Sequence, residues 1–206
     1  MILYLVRHGE TEANRNSLAL GRADVPLNER GIAQAALVGQ ALAGEPISAV
    51  YSSPLARAVQ TANAIAHRRR LGVQVKPGLI EMDIGEADGL TFAEVRERFP
   101  GLLETWVTAS GPQQAMPGGE RLADVQKRGW ETVQSLATLH TNDTICAVTH
   151  NFVILSILVT ALGVDLAQFR RLRHAVAAVS VIEVGPSRVR IKRMNDTCHL
   201  EEKLTR

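Results

Sequence analysis

Residues 5–11 read Leu-Val-Arg-His-Gly-Glu-Thr, an apolar run ending on a cation, an imidazole and a glycine. At the carboxyl end of a strand in an open α/β sheet, such residues face the ligand crevice. His8 can act there as nucleophile, base or metal ligand, and Arg7 beside it points to an anionic partner. Gly9 lets the backbone approach a neighbour closely or turn with positive φ. Residues 51–62 form a second strand end running into a helix, with Ser53 expected as its N-cap and Pro54 at its first position. Arg57 then lies about one turn inside, near the helix end that favours anions. Residues 144–149 are a third strand, β-branched and apolar, followed by His150. Glu81 comes shortly after a strand expected at 73–76. Three strand ends thus supply two arginines and two histidines, with a carboxylate nearby.

Neutral imidazole has a lone pair on one ring nitrogen while the other donates a hydrogen bond, which would suit His8 to nucleophilic attack. Guanidinium groups match the oxygens of an anion bidentately and do not deprotonate, so Arg7 and Arg57 would clamp such a partner. His150 is expected as a third donor, acting best as imidazolium. A leaving alkoxide needs a proton, and Glu81 could supply it if burial raises its pKa; Asp83 and Glu86 lie close enough in sequence to compete.

Strands and helices alternate along the chain, which predicts an α/β fold: a mostly parallel sheet covered by helices on both faces. Strands are expected at 1–6, 47–51, 73–76 and 144–149. Helices are expected at about 28–43 (capped by Asn28, apolar at Ile32, Ala35, Ala36, Gly39 and Leu42), 54–69, 91–99, 120–140 and 152–162. Residues 175–184 and 189–194 flank Gly185-Pro186 and predict a hairpin, so one strand runs antiparallel. Residues 78–119 are poorer in pattern and are expected to pass over the sheet's carboxyl edge as a lid-like excursion within a single domain spanning 1–206.

Together with residues 85–91 (Gly-Glu-Ala-Asp-Gly-Leu-Thr) and 117–120 (Pro-Gly-Gly-Glu), these segments resemble the histidine phosphatase superfamily, in its phosphoglycerate mutase-like branch, over nearly the whole chain. The resemblance implies a three-layer α/β/α sandwich and a phosphohistidine intermediate at His8, whose second ring nitrogen bonds a backbone carbonyl. It favours Glu81 as proton shuttle and adds Asn14, six residues after the nucleophile, as a phosphate contact. Gly21 and Arg22 are placed in a loop at the pocket rim. Where many phosphatases of the group have glycine after the second histidine, this chain has Asn151, whose amide or backbone N–H could still bind phosphate. The compact acidic stretch after Glu81 resembles the phosphatase subgroup. The implied activity is a metal-independent phosphomonoesterase acting on small phosphorylated metabolites. A cofactor-dependent phosphoglycerate mutase and a catalytically idle phosphate-ester-binding module are the alternatives.

The remaining composition is ordinary for a globular protein. The chain has 206 residues, 46% hydrophobic and 21% charged, with a formal charge of +2, too small to argue for nucleic-acid or membrane attraction. The basic run at 67–70 reads as a solvated helix end. No apolar run approaches a membrane span, and the first residues do not form a signal peptide h-region, so a cytoplasmic location is expected. Cys146 and Cys198 make no metal spacing, and neither a metal nor another cofactor is expected. Phe92, Trp106, Met116 and Phe152 could give the site an apolar wall. The expected partner is a small-molecule phosphate ester, and a homodimer through a sheet edge would be unsurprising.

Overall fold

In the computed structural model, which describes residues 1–201, the elements in chain order are β1 (Ile2–Arg7), α1 (Glu12–Arg15), α2 (Glu29–Ala41), β2 (Ile47–Ser52), α3 (Ala56–His67), β3 (Val73–Val75), α4 (Phe92–Arg98), α5 (Leu102–Trp106), α6 (Leu122–Leu139), β4 (Thr144–Thr149), α7 (Asn151–Leu162), β5 (Val179–Val184) and β6 (Val189–Asp196). Residues 202–206 of the expected domain lie outside the described ones. The strands form one sheet in the order β3-β2-β4-β1-β5-β6. β5 runs antiparallel to both its neighbours, while β1, β2, β3 and β4 pair in parallel.

Strand period decides the layers. Along β1, Leu3 and Leu5 enter one core cluster, whereas Tyr4 and Val6 enter the other; successive side chains of a strand leave on opposite faces. In β4 the same alternation divides Ile145 and Ala147 from Cys146 and Val148. The first cluster is completed by α6 and α7, the second by α2 and α3. A sheet buried on both faces produces the near-continuous apolar strands seen in the sequence. α7 is apolar on nearly every side because it lies against both the sheet and α6, and it ends at Gly163, whose φ of 68° is a left-handed cap.

Three expectations are corrected. The buried face of α2 is Gly31, Gln34, Ala35, Val38 and Gly39, while Ile32 is 57% exposed and Ala36 is exposed too. The rotation follows from close packing: a Cβ on Gly39 would stand 2.5 Å from the Ala64 carbonyl oxygen, so this small residue must face α3. α3 begins at Ala56, with extended Leu55 as its N-cap, so Ser53 and Pro54 precede it and Arg57 is its second residue. Asp24, from the loop after α1, accepts the Ala56 N–H at 2.7 Å and takes over the anionic capping role. The basic run after α3 is not simply solvated. Arg69 donates to the carbonyls of Ile47 and Ala43, both at 2.9 Å, and pins the turn between α2 and β2.

Residues 78–119 hold only short helical pieces, as their weak periodicity predicted. Met82, Ile84, Ala87, Val95, Leu102, Trp106 and Met116 from this stretch join the α6–α7 core. The excursion is therefore packed, not loose.

Candidate active site

β1, β4 and β2 are adjacent, and their carboxyl ends are in register. Arg7 pairs with Thr149 and Ser52 with Val148, and the His8 N–H donates to the Thr149 carbonyl at 3.1 Å. The residues following each strand (His8, His150 and Ser53) are consequently brought together. The rings of His8 and His150 lie 5.0 Å apart, centre to centre.

His8 is 2% exposed. Its Nδ1 is 2.7 Å from the Gly9 carbonyl oxygen, a bond in which the nitrogen must donate, so the Nε2 lone pair is free when the ring is neutral. Burial, with the Arg7 and Arg57 charges beside it, holds its pKa well below the ordinary value, which keeps the ring neutral. Gly9 is needed for close approach, not for positive φ: a Cβ there would be 2.5 Å from the Gly31 carbonyl oxygen.

Each arginine is anchored on backbone carbonyls, Arg7 through one terminal nitrogen and Arg57 through both. Arg7 Nη1 donates to His174 at 2.6 Å and to Asn151 Oδ1 at 3.3 Å. Arg57, fully buried, donates Nη1 to Ala23 and Nη2 to Gly21, both at 2.7 Å. Burial lowers the Arg7 pKa to about 10, which leaves it cationic at neutral pH. Among the described residues, four buried side-chain polar atoms have no hydrogen-bond partner: Arg7 Nε, Arg57 Nε, His150 Nδ1 and His174 Nδ1. Unpaired buried donors are costly. Three of the four belong to this cluster and together are suited to an anion.

His150 departs from expectation. Burial, then His8, Arg57 and Arg7, hold its pKa well below the ordinary value, so it is neutral rather than imidazolium in this state. Its Nε2 is 2.7 Å from Ser53 Oγ, which also accepts the Leu55 N–H at 3.3 Å. The Ser53 hydroxyl proton is then free to donate to Nε2, which places the imidazole proton on Nδ1. A neutral ring in that tautomer is still a donor.

Glu81 is 3% exposed, with Oε1 accepting the Met82 N–H at 2.8 Å and Oε2 the Phe152 N–H at 3.3 Å. Burial raises its pKa against the opposing pull of these bonds, Arg57 and Arg7. Asp83 is turned away, accepting from Gly85 and pairing with Arg22; of the three carboxylates Glu81 lines the cavity, and neither Asp83 nor Glu86 does.

That cavity, about 220 Å³, is lined at one end by Arg7, His8, Asn14, Glu81 and Asn151. Asn14 Oδ1 is used to cap α1 through Thr11, which leaves its NH2 for a ligand. Asn151 accepts from Arg7 and so orients that guanidinium. Gly21 and Arg22 do not line the cavity. Gly21 lies against Ile84 and Met82 with its carbonyl on Arg57, and Arg22 bridges Asp83 and Glu120. Their role is to hold the loop that anchors Arg57.

Sequence reasoning missed Arg128 and His174 and misassigned Ser53. Arg128 donates to the carbonyls of Gly78, Ile80 and Glu81 and pairs with Glu120 at 3.1 Å, fixing the segment that presents Glu81. Thr149 Oγ1 supports the same segment through the Leu79 carbonyl at 2.6 Å. No local signal marks Arg128, whose carbonyl partners lie 47–50 residues away in sequence. The tail at 195–200 closes the loop that contacts Arg7: Asn195 Oδ1 accepts the Ala175 N–H and His199 bonds the Ala177 carbonyl.

Residues 3–197 match the family model described as histidine phosphatase superfamily (branch 1). Phosphoserine phosphatase 1 of Hydrogenobacter thermophilus is 36% identical over 200 residues, covering 97% of this chain and 94% of that protein. Among solved structures, Bacillus stearothermophilus YhfR superposes with a TM-score of 0.91 at 30% identity, covering 97% and 99% of the two chains. A mycobacterial glucosyl-3-phosphoglycerate phosphatase, solved with VO3, superposes with a TM-score of 0.87 at 26% identity, covering 95% and 99%.

Proposed function

Given that the chain belongs to branch 1 of the histidine phosphatase superfamily, we propose that it is a metal-independent phosphomonoesterase working through a phosphohistidine at His8. One observation carries this reading: a buried neutral histidine with its Nδ1 bonded at 2.7 Å and its Nε2 free, set among unpaired buried nitrogens of Arg7, Arg57 and His150.

In the first step His8 Nε2 attacks phosphorus, an N–P bond forms and the ester P–O bond breaks. The leaving oxygen takes the Glu81 carboxyl proton, so a neutral alcohol departs. In the second step water attacks phosphorus and gives a proton to Glu81 as the N–P bond breaks. Inorganic phosphate forms, and both residues return to their starting states. Arg7 and Arg57 hold the equatorial oxygens, and His150 donates from Nδ1. Fixed donors aimed at the transferring group are the main contribution a protein can make to this chemistry. The dianion offsets the two arginine charges that depress the His8 and His150 pKa values.

The test is phosphate release from p-nitrophenyl phosphate with excess EDTA, wild type beside His8→Ala. Alkaline quenching during turnover, which preserves the acid-labile N–P bond, should trap a phosphohistidine in the wild type only. Unchanged hydrolysis by His8→Ala would refute the assignment. Phosphate reappearing on another hydroxyl instead of in solution would indicate transfer, not hydrolysis.

A further inference from the structure

The cavity that holds His8 and Glu81 changes character away from them. All its polar side chains are the five already placed around the phosphoryl position, and the rest of the lining is apolar. Leu18, Phe92, Leu103, Trp106 and Phe152 are among the residues that supply this apolar lining, several of them from α4 and α5. Trp106 packs edge-on against Phe152 at 6.0 Å, which gives a rigid aromatic surface. Among the described residues, Arg7 is the one cation lining this space.

The cations lie elsewhere. A second, more open groove is lined by Arg96, Arg170 and Arg173 and shares Arg7, Asn14 and Asn151 with the cavity, but neither His8 nor Glu81 faces it. Arg170 is committed to the carbonyls of Trp106 and Val107, and Arg96 lies 4.0 Å from Glu104. Among the described residues the carboxyl lining that groove is Glu10, which already accepts from Asn28 at 2.9 Å and pairs with Arg30, so an ester oxygen there would lie away from Glu81 and His8. The leaving oxygen must sit beside Glu81, so the alcohol must occupy the apolar cavity.

We infer that the preferred substrates are phosphate monoesters of uncharged, apolar alcohols or phenols, not of alcohols bearing a carboxylate. The inference rests on the hydrolase reading above. An apolar cavity of ~150 Å³ admits benzene. With part of the 220 Å³ taken by the phosphoryl group, the remaining space suits roughly one ring or a short branched chain. A carboxylate carried into it would be stripped of water with no partner and would face Glu81.

The experiment is kcat/KM for n-alkyl phosphates from methyl to hexyl, whose leaving groups differ little in acidity, beside phosphoserine and 3-phosphoglycerate, each with His8→Ala as the blank. Each buried methylene should raise kcat/KM about fourfold until the cavity fills. Butyl phosphate should exceed both carboxylate esters by on the order of 100-fold. Leu103→Lys should lower the butyl rate at least tenfold and raise that for phosphoserine. Leu103→Ala, which is milder on folding, should move the plateau to a longer chain. A flat alkyl series with the carboxylate esters preferred would overturn the inference while His8-dependent hydrolysis left the hydrolase reading intact. Absence of His8-dependent release from every ester would overturn both.

Discussion

Glu81→Gln separates proton delivery from every other function of the site. Gln is nearly isosteric, and its carbonyl can keep the 2.8 Å bond from Met82 N–H, so only the weaker 3.3 Å bond from Phe152 N–H is lost. A neutral hydrogen bond contributes about 0.5–1.5 kcal/mol net, so the fold should survive with a small shift in its urea midpoint. Removing a general acid costs about 10²–10⁴ in rate, equivalent to about 3–5 kcal/mol of barrier at 1.36 kcal/mol per decade. That loss should depend on the leaving group. An alkyl phosphate must depart with a proton, whereas p-nitrophenolate leaves unaided and should lose under about tenfold. The pH profile adds a sign. Glu81, with its pKa raised by burial, is protonated on the acid side, and its contribution falls as pH rises through that pKa. His8, with its pKa held low, keeps its lone pair on the same acid side. Wild-type kcat/KM for alkyl esters should therefore favour acid pH, and the part of the descending limb absent from Glu81→Gln belongs to this carboxyl. Equal losses for alkyl and aryl esters, with an unchanged limb, would refute the assignment of Glu81 as acid.

Ser53→Ala removes the partner of His150 Nε2, lets the ring sample the other tautomer, and should reduce kcat about tenfold, in line with the ~1–3 kcal/mol of a buried orphaned group; Ser53→Thr should restore both the rate and the ring nitrogen NMR shifts. Gly9→Ala drives a Cβ into the Gly31 carbonyl at 2.5 Å, and neither backbone can yield cheaply. Urea unfolding should show about 1–3 kcal/mol of destabilisation, with activity lost because His8 is adjacent. Stability should also fall with pH through buried histidines. His174 titrates near 4 when folded, against 6.5 for a free histidine, so the unfolded chain binds the proton first. Its contribution is fully present above pH 6.5 and falls by about 3 kcal/mol on descending to pH 4. His8 and His150 shift in the same direction and deepen the loss. Urea midpoints at pH 7.5 and 4.5 should differ by less for His174→Gln than for wild type.

Among the site residues, His8 and His150 were legible because they follow β1 and β4, and Arg7 because it closes β1, these strands pairing in parallel and in register; Glu81 lies beyond the edge strand β3 and stood out through the family resemblance. The strands themselves were legible through their apolar runs, and the hairpin through Gly185-Pro186. Where reading failed, a partner distant in sequence had overridden a local rule. Ser53 looked like a helix cap, yet Asp24 supplies that anion and frees Ser53 for His150. Gly21 and Arg22 looked like rim residues because their loop follows Asn14 and the first motif, but the loop folds inward to hold the Arg57 side chain.

The sequence by itself determined the layered α/β architecture and the set of groups at the sheet's carboxyl edge. Both follow from periodicity and residue chemistry, which act over a few neighbouring positions. The tertiary structure alone decided the charge state of His150, the identity of the carboxylate in the cavity, the support of Glu81 by Arg128 and the apolar character of the space beside it. Each depends on what surrounds a group in three dimensions. Desolvation, unpaired donors and cavity lining are sums over residues brought together by packing, and no local pattern along the chain encodes them.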